Sequence, residues 1–184
     1  MAEVFVDPLP VTLAIAFSQE PVTVTAPAAD ALARRGAVLD SLAVLARTLL
    51  SGREALRRFD ETLRFADGRS ESAGESLSRA LIHELGFVVP ELQVELRSPS
   101  GELLGRPEFW WRQVRLIGEF DGMTKYTRVA REQGRTAEEV LVAERRRELR
   151  LTGPDRRMIR WMGKDLMDEA GFERLLLEAG VPRR

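Results

Sequence analysis

Along the first 26 residues the apolar positions Val11, Leu13, Ile15 and Phe17 alternate with other residues, and this spacing predicts short strands or extended segments. From Pro27 to Ala66 the period lengthens to that of a helix. Leu39, Leu42, Ala46 and Leu49 form one stripe, closed by Gly52, and Leu56, Phe59 and Leu63 form the next, closed before Asp67-Gly68. The polar stretch 67–74, DGRSESAG, then breaks the pattern and divides a small helical N-terminal region, residues 1–69, from a second region, residues 70–184.

The second region reads as a regular series. Ser72 and Glu75 have the spacing of a capping box, and Leu77, Leu81 and Leu85 mark the helix it opens. Residues 91–97, ELQVELR, alternate as a half-buried strand, with the turn SPSG after it. Strands over Glu102 to Trp110 and Val114 to Phe120 follow, joined by a tight turn near Gln113. Thr136 and Glu139 form a second capping box for a helix running to about Leu151, stopped at Gly153-Pro154. A strand, Arg157 to Met162, and a closing helix, Lys164 to Ala179, end the series. Helix, three strands, helix, strand, helix predicts an α/β (or α+β) fold: a mixed sheet flanked by helices, behind the helical N-terminal region.

Composition narrows the chemistry. With 44% apolar and 31% charged residues over 184, the chain suits one globular domain, or one domain with a small appendage. It has no cysteine, which removes disulfides, thiolate metal sites and a cysteine nucleophile and fits a reducing cytoplasm. A single histidine, His83, argues against a histidine-rich metal site or a Ser-His triad. No signal-peptide pattern or membrane-length apolar run is present. A net charge of -1 supplies no global field toward nucleic acid, so any such binding needs a local patch.

The chemistry-bearing stretch is 105–126, GRPEFWWRQVRLIGEFDGMTKY. Glu119 and Asp121, two apart on a strand, leave the same face. A hairpin turning near Gln113 brings Glu108 within a residue or two of Glu119. Three carboxylates that converge repel unless a cation joins them, and Mg2+ or Mn2+ on hard carboxylate oxygens is what phosphodiester hydrolysis uses. Glu75 could add a fourth acid, and Lys125 could orient a water or stabilise developing charge.

Each of these residues also has a plain structural reading. The capping box explains Glu75, a turn explains Asp121, an arginine such as Arg106 or Arg112 could pair with Glu108, and Lys125 could be solvated. On the helix after Thr136, Val140, Glu144, Arg147 and Leu151 share a stripe, which predicts a buried ion pair or a contact with the site. Arg145, Arg146, Arg147, Arg150, Arg156, Arg157 and Arg160 form the basic cluster. It suits phosphates, or it is a solvated face paired with Glu138, Glu139 and Glu148.

Taken together, Glu75, Glu108-Phe109, Glu119-Phe120-Asp121-Gly122 with Lys125, the spacing Glu144 to Arg147, and Ile159-Arg160-Trp161 resemble the PD-(D/E)XK nuclease superfamily over roughly residues 70–166. The branch they resemble is the Vsr-like group, related to very-short-patch-repair endonucleases. The resemblance implies a restriction-endonuclease-like fold and a divalent-metal-dependent DNA endonuclease. Glu108, Glu119 and Asp121 would be metal ligands, Glu75 an accessory acid, Lys125 a charge stabiliser, and Arg145, Arg146, Arg147, Arg150 and Arg160 the DNA contacts. The chain departs from the family in carrying Glu108 where Asp is usual and Asp121 where the strict signature has Lys. The Glu108 departure, with the low net charge, favours an alternative: a catalytically inactive nuclease-type fold that binds DNA or a partner. The first third is similar to actinobacterial proteins in which such a domain follows a region like AbiEi-type antitoxins. That likeness implies a regulatory or toxin-antitoxin setting, with a protein partner held through residues 1–69.

Overall fold

The computed structural model describes residues 7–36, 39–122 and 136–184. Among them are eight α-helices and a mixed sheet of four strands with a small two-stranded one, so the chain is α/β with helices at its N-terminal side. It divides into two compact units, one up to Ala80 and one from Leu81. The division falls inside a helix, Ala73–Glu84, that begins at the end of the polar stretch 67–74.

In the first unit, α1 (Leu9–Gln19), α2 (Val22–Arg34), α3 (Leu39–Leu49) and α4 (Arg53–Phe65) are followed by the start of α5 (Ala73–Glu84). The expectation of extended structure over residues 1–26 is corrected for residues 7–26, where α1 and the start of α2 lie; residues 1–6 are outside the described residues. Pro8 caps α1 and Pro10 sits in its first turn, where a missing N–H costs nothing. Ala14, Phe17 and Ser18, at i, i+3 and i+4, are the buried set, and the alternating Val11 and Ile15 are only half-buried. Tertiary packing overrides the β-branched run in α2. Ala14, Phe17, Ala29, Leu42, Ala46 and Phe59 form one core cluster. The Phe17 and Phe59 rings lie 6.2 Å apart, and burying each contributes about 1.5–3 kcal/mol.

The second unit holds β1 (Glu91–Leu92), β2 (Leu96–Arg97), β3 (Leu103–Gly105), β4 (Phe109–Trp111), β5 (Leu116–Asp121), α6 (Ala137–Leu151), β6 (Arg157–Met162), α7 (Gly163–Leu166) and α8 (Glu169–Ala179). Two expected strands are split. Gln93 takes a positive φ of 55°, so residues 91–97 break into β1 and β2. Glu102 to Trp110 likewise breaks into β3 and β4 around Pro107. The four-stranded sheet runs β1-β4-β5-β6, with β1, β4 and β5 antiparallel and β5 parallel to β6; β2 pairs with β3. A 3-10 turn over Arg112–Val114, with Arg115 left-handed, closes the β4–β5 hairpin where Gln113 predicted it. The closing helix is also split, α8 restarting with Asp168 as its cap on the Gly171 N–H.

The pleat sends Trp110 and Ile117 to one face of the sheet, where they pack with Leu151 of α6 and with Leu96. Phe109 and Trp161 go to the other face, where Phe172 of α8 meets Trp161 edge-on at 5.5 Å. Gly118 belongs to this second face. A Cβ there would stand 2.6 Å from Trp161 Cη2 and 3.0 Å from Trp111 Cζ3. Neither ring has a flexible end that can yield. Gly118→Ala should therefore lower stability by about 1–3 kcal/mol, read as a reduced urea midpoint with tryptophan fluorescence. An unchanged midpoint would mean the ring pair repacks at no cost.

Candidate functional site

The site grows from the end of the β4–β5 hairpin. Phe109 pairs with Gly118, so the next residue outward on each strand places Glu108 beside Glu119. Glu119 sits opposite Arg160 on β6, and Asp121 opposite Met162. Glu108 and Glu119 are 8% and 1% exposed. Two carboxylates buried this deeply need donors or cations. Glu108 Oε2 accepts the Phe120 backbone N–H at 2.6 Å. Glu119 receives a fork from Arg147, Nη2 to Oε1 at 3.0 Å and Nη1 to Oε2 at 3.3 Å.

The arginine comes from α6. Thr136 caps this helix and forms the expected capping box with Glu139, at 2.9 and 3.2 Å. Glu144 and Arg147, one turn apart, then lie over the sheet. Arg147 also contacts Glu144 at 3.2 Å and donates to the Arg106 carbonyl at 3.0 Å. Glu144 passes the chain on to Arg160 at 3.1 Å, and Arg160 reaches Asp121 at 3.4 Å and Glu148 at 3.6 Å. The result is an alternating ladder, Glu119–Arg147–Glu144–Arg160–Asp121, spanning β5, α6 and β6. Burial works against the charge of Arg147, yet its hydrogen bond to Glu119 and the charges of Glu119, Glu144 and Glu108 outweigh that and raise its pKa. Arg160 is raised in the same way, against burial, by its hydrogen bond to Glu144 and by the charges of Asp121, Glu144 and Glu148.

The sequence expectation of a buried ion pair on the Glu144–Arg147 stripe is met by this ladder. Arg147 and Arg160, expected as DNA contacts, are held by carboxylates. Arg112 pairs with Glu91, at 2.8 Å for both contacts. Arg145 meets Glu148 at 3.6 Å. Arg146 and Arg150, one helical turn apart and exposed, meet no carboxylate within ion-pair distance among the described residues. Glu75 does cap α5: its N–H donates to Ser72 Oγ at 3.1 Å, and its carboxylate accepts from the Ser72 hydroxyl and the Glu71 N–H at 2.8 and 2.9 Å. Glu75 belongs to the first unit and the ladder to the second. Lys125 lies outside the described residues.

A Mg2+ or Mn2+ ion on Glu108, Glu119 and Asp121 does not fit this donor set. Both oxygens of Glu119 face Arg147, one oxygen of Glu108 holds a backbone N–H, and Asp121 faces Arg160. Among the described residues no three His, Cys, Asp or Glu side chains gather as a metal site. Octahedral coordination would require the guanidinium groups to leave. Sequence reasoning named each residue of the ladder, and Glu148 as a partner of the basic cluster, but not the pairings Arg147–Glu119 and Arg160–Asp121.

No protein-family model matches the chain, and no solved structure matches it. Two uncharacterized proteins of Mycobacterium tuberculosis, from strains CDC 1551 / Oshkosh and ATCC 25618 / H37Rv, are each 39% identical over 72 residues. The match covers 39% of this chain and 26% of each relative, so the chain spans about a quarter of their length. Among the described residues no helix is long and apolar enough to cross a membrane.

Proposed function

We propose that the second unit is a nuclease-type fold that binds DNA without cutting it, its acidic site closed by arginines. The observation that carries this reading is the fork of Arg147 on the buried Glu119. Arginine there supplies the positive charge that a metal would supply in a phosphodiesterase, and it engages both oxygens of Glu119. Arg146 and Arg150 on the exposed side of α6 are then the phosphate contacts. The regulatory or toxin-antitoxin setting, with a protein partner on residues 1–69, belongs to the same proposal.

The competing reading is a Mg2+- or Mn2+-dependent endonuclease hydrolysing phosphodiester bonds. The side-by-side placement of Glu108 and Glu119 with Asp121 on the same face favours it, and it requires Arg147 and Arg160 to swing away. Two measurements separate the readings. Affinity for a DNA duplex, followed by anisotropy against salt, should fall with a slope that drops by about two when Arg146 and Arg150 are both changed to Gln. Supercoiled DNA should stay intact with manganese or magnesium. Cleavage that disappears in Glu119→Gln would overturn the binding reading in favour of the enzyme, and a salt slope indifferent to both arginines would remove the DNA contact assigned to them.

A further inference from the structure

A second feature lies on the same face of the sheet, at the opposite end of β5 from the ladder. It is a cleft of about 640 Å³ in the range that holds small organic ligands. Its walls come from β2 and the loop after it, from the turn that closes the β4–β5 hairpin, and from the segment between α6 and β6. Four arginines line it, Arg97, Arg112, Arg115 and Arg156, against two acids, Glu95 and Asp155. From Arg115 to Glu119 is four residues of strand, roughly 13 Å, so the cleft and the ladder are separate places.

The arginines are not equally occupied. Arg97 holds Glu95 at 2.8 Å and the Gly101 carbonyl at 3.0 Å, and Arg112 is forked onto Glu91. Arg115 has one long contact, 3.4 Å to Asp155, between two exposed side chains. Arg156 is half-buried and, among the described residues, its guanidinium donates from Nε, to the Leu151 carbonyl at 2.7 Å. Among the described residues its terminal amino groups meet no carboxylate. Nε is thereby anchored and the two-pronged end is left to serve a ligand, which suits a planar or tetrahedral oxyanion.

Trp110 lies at the cleft as a spectroscopic reporter. It lines the cleft at 5% exposure, and its indole N–H is buried without an acceptor among the described residues. Trp111, the neighbouring residue, spends its own indole N–H on the Val88 carbonyl at 2.7 Å. The Trp110 N–H has essentially no accessible surface of its own, so it is not a contact for a ligand in the cleft. Val94, Leu96 and Pro99 give the same cleft an apolar side. A bare inorganic ion would leave that side and most of the volume unused, whereas a flat base joined to a phosphate uses both.

We infer that this cleft is a binding site for a nucleotide phosphate, with Arg115 and Arg156 on the phosphate and Val94, Leu96 and Pro99 against the base. The inference goes beyond the DNA-binding reading and does not rest on it, since no residue of the ladder or of the Arg146–Arg150 pair takes part. The phosphate could be carried by a free mononucleotide or by the end of a strand, and the two sources are distinguished by the probe.

The test follows the three indole resonances of the 15N-labelled full chain during titration with deoxyadenosine monophosphate and, separately, with a 5′-phosphorylated single-stranded dodecamer. Trp110→Phe assigns the Trp110 signal. The Trp110 resonance should move saturably, and Arg115→Gln combined with Arg156→Gln should weaken binding tenfold or more. Arg174→Gln, an exposed change on α8, should leave it unaltered. Saturation by the mononucleotide identifies a free-nucleotide site, and saturation by the dodecamer alone identifies a strand end. A Trp110 resonance that stays still at millimolar concentrations of both probes, or that moves equally in the double arginine variant, overturns the inference. Because Arg146 and Arg150 are untouched, failure here leaves their duplex affinity standing, and the reverse also holds.

Discussion

Asp30→Ala is expected to destabilise the first unit by about 3–5 kcal/mol, because it leaves a buried arginine without its counter-charge. Asp30 is completely buried and Arg79 is 5% exposed at its side chain. Arg79 Nη2 donates to both oxygens of Asp30, at 2.8 and 3.1 Å, and the Asp67 N–H donates to one of them at 2.7 Å. The guanidinium also lies 3.9 Å over the Phe65 ring. Its Nε finds no acceptor among the described residues, so the ion pair has little reserve. The loss should appear as a lower urea midpoint in far-ultraviolet circular dichroism, which the helices of this unit dominate. Arg79→Met should lose a comparable amount. The double change Asp30→Ala with Arg79→Met should lose less than either single one, because an apolar pair removes both desolvated charges together. A single Asp30→Ala variant within about 1 kcal/mol of the parent would show that the pair contributes no more than an exposed one.

Neither partner of that pair stood out in the sequence. Asp30 and Arg79 are 49 residues apart, and no local period connects them. The readings that succeeded rest on local chemistry. Thr136 and Glu139 announced α6 because a capping box is a four-residue device, and Gly180 closed α8 because a left-handed residue is needed there. The hairpin at Gln113 followed from two apolar runs flanking a short polar one. The readings that failed needed tertiary information. Val11, Leu13, Ile15 and Phe17 alternate as a strand would, yet Ala14 and Phe17 face the Phe59 cluster and fix the segment as a helix. Leu92, Val94 and Leu96 alternate too, but the positive φ at Gln93 sends β1 and β2 into different sheets.

The candidate site was legible in its residues and not in its partners. Glu108, Glu119 and Asp121 were placed on one face by the period of a strand, and Glu144 and Arg147 on one stripe by the period of a helix. What sequence could not supply was the crossing of the two, which sets Arg147 on Glu119 and Arg160 on Asp121. That crossing changes the chemistry from carboxylates in search of a metal to carboxylates already neutralised.

Arg147→Ala should make this difference measurable. At pH 7 it should cost about 3–5 kcal/mol, since it leaves Glu119 buried beside Glu108 without its arginine. The variant should then be more stable at pH 5 than at pH 7. With the arginine gone, the folded protein takes up a proton on this buried pair at a pH where the unfolded chain does not. Stability falls with rising pH wherever the native state binds more protons, so it must rise as the pH drops. Glu119→Gln placed in the same background should recover much of the loss and flatten the pH dependence, because it removes the charge that Arg147 balanced. A loss equal at pH 5 and pH 7 would mean that Arg147 acts by packing alone. Manganese added to Arg147→Ala then asks what the arginine replaces. A rise in melting temperature in this variant and none in the parent would show that the acids form a metal site once the guanidinium is removed. No rise in either would leave Glu108 and Glu119 as structural acids and remove the metal-dependent reading of the site.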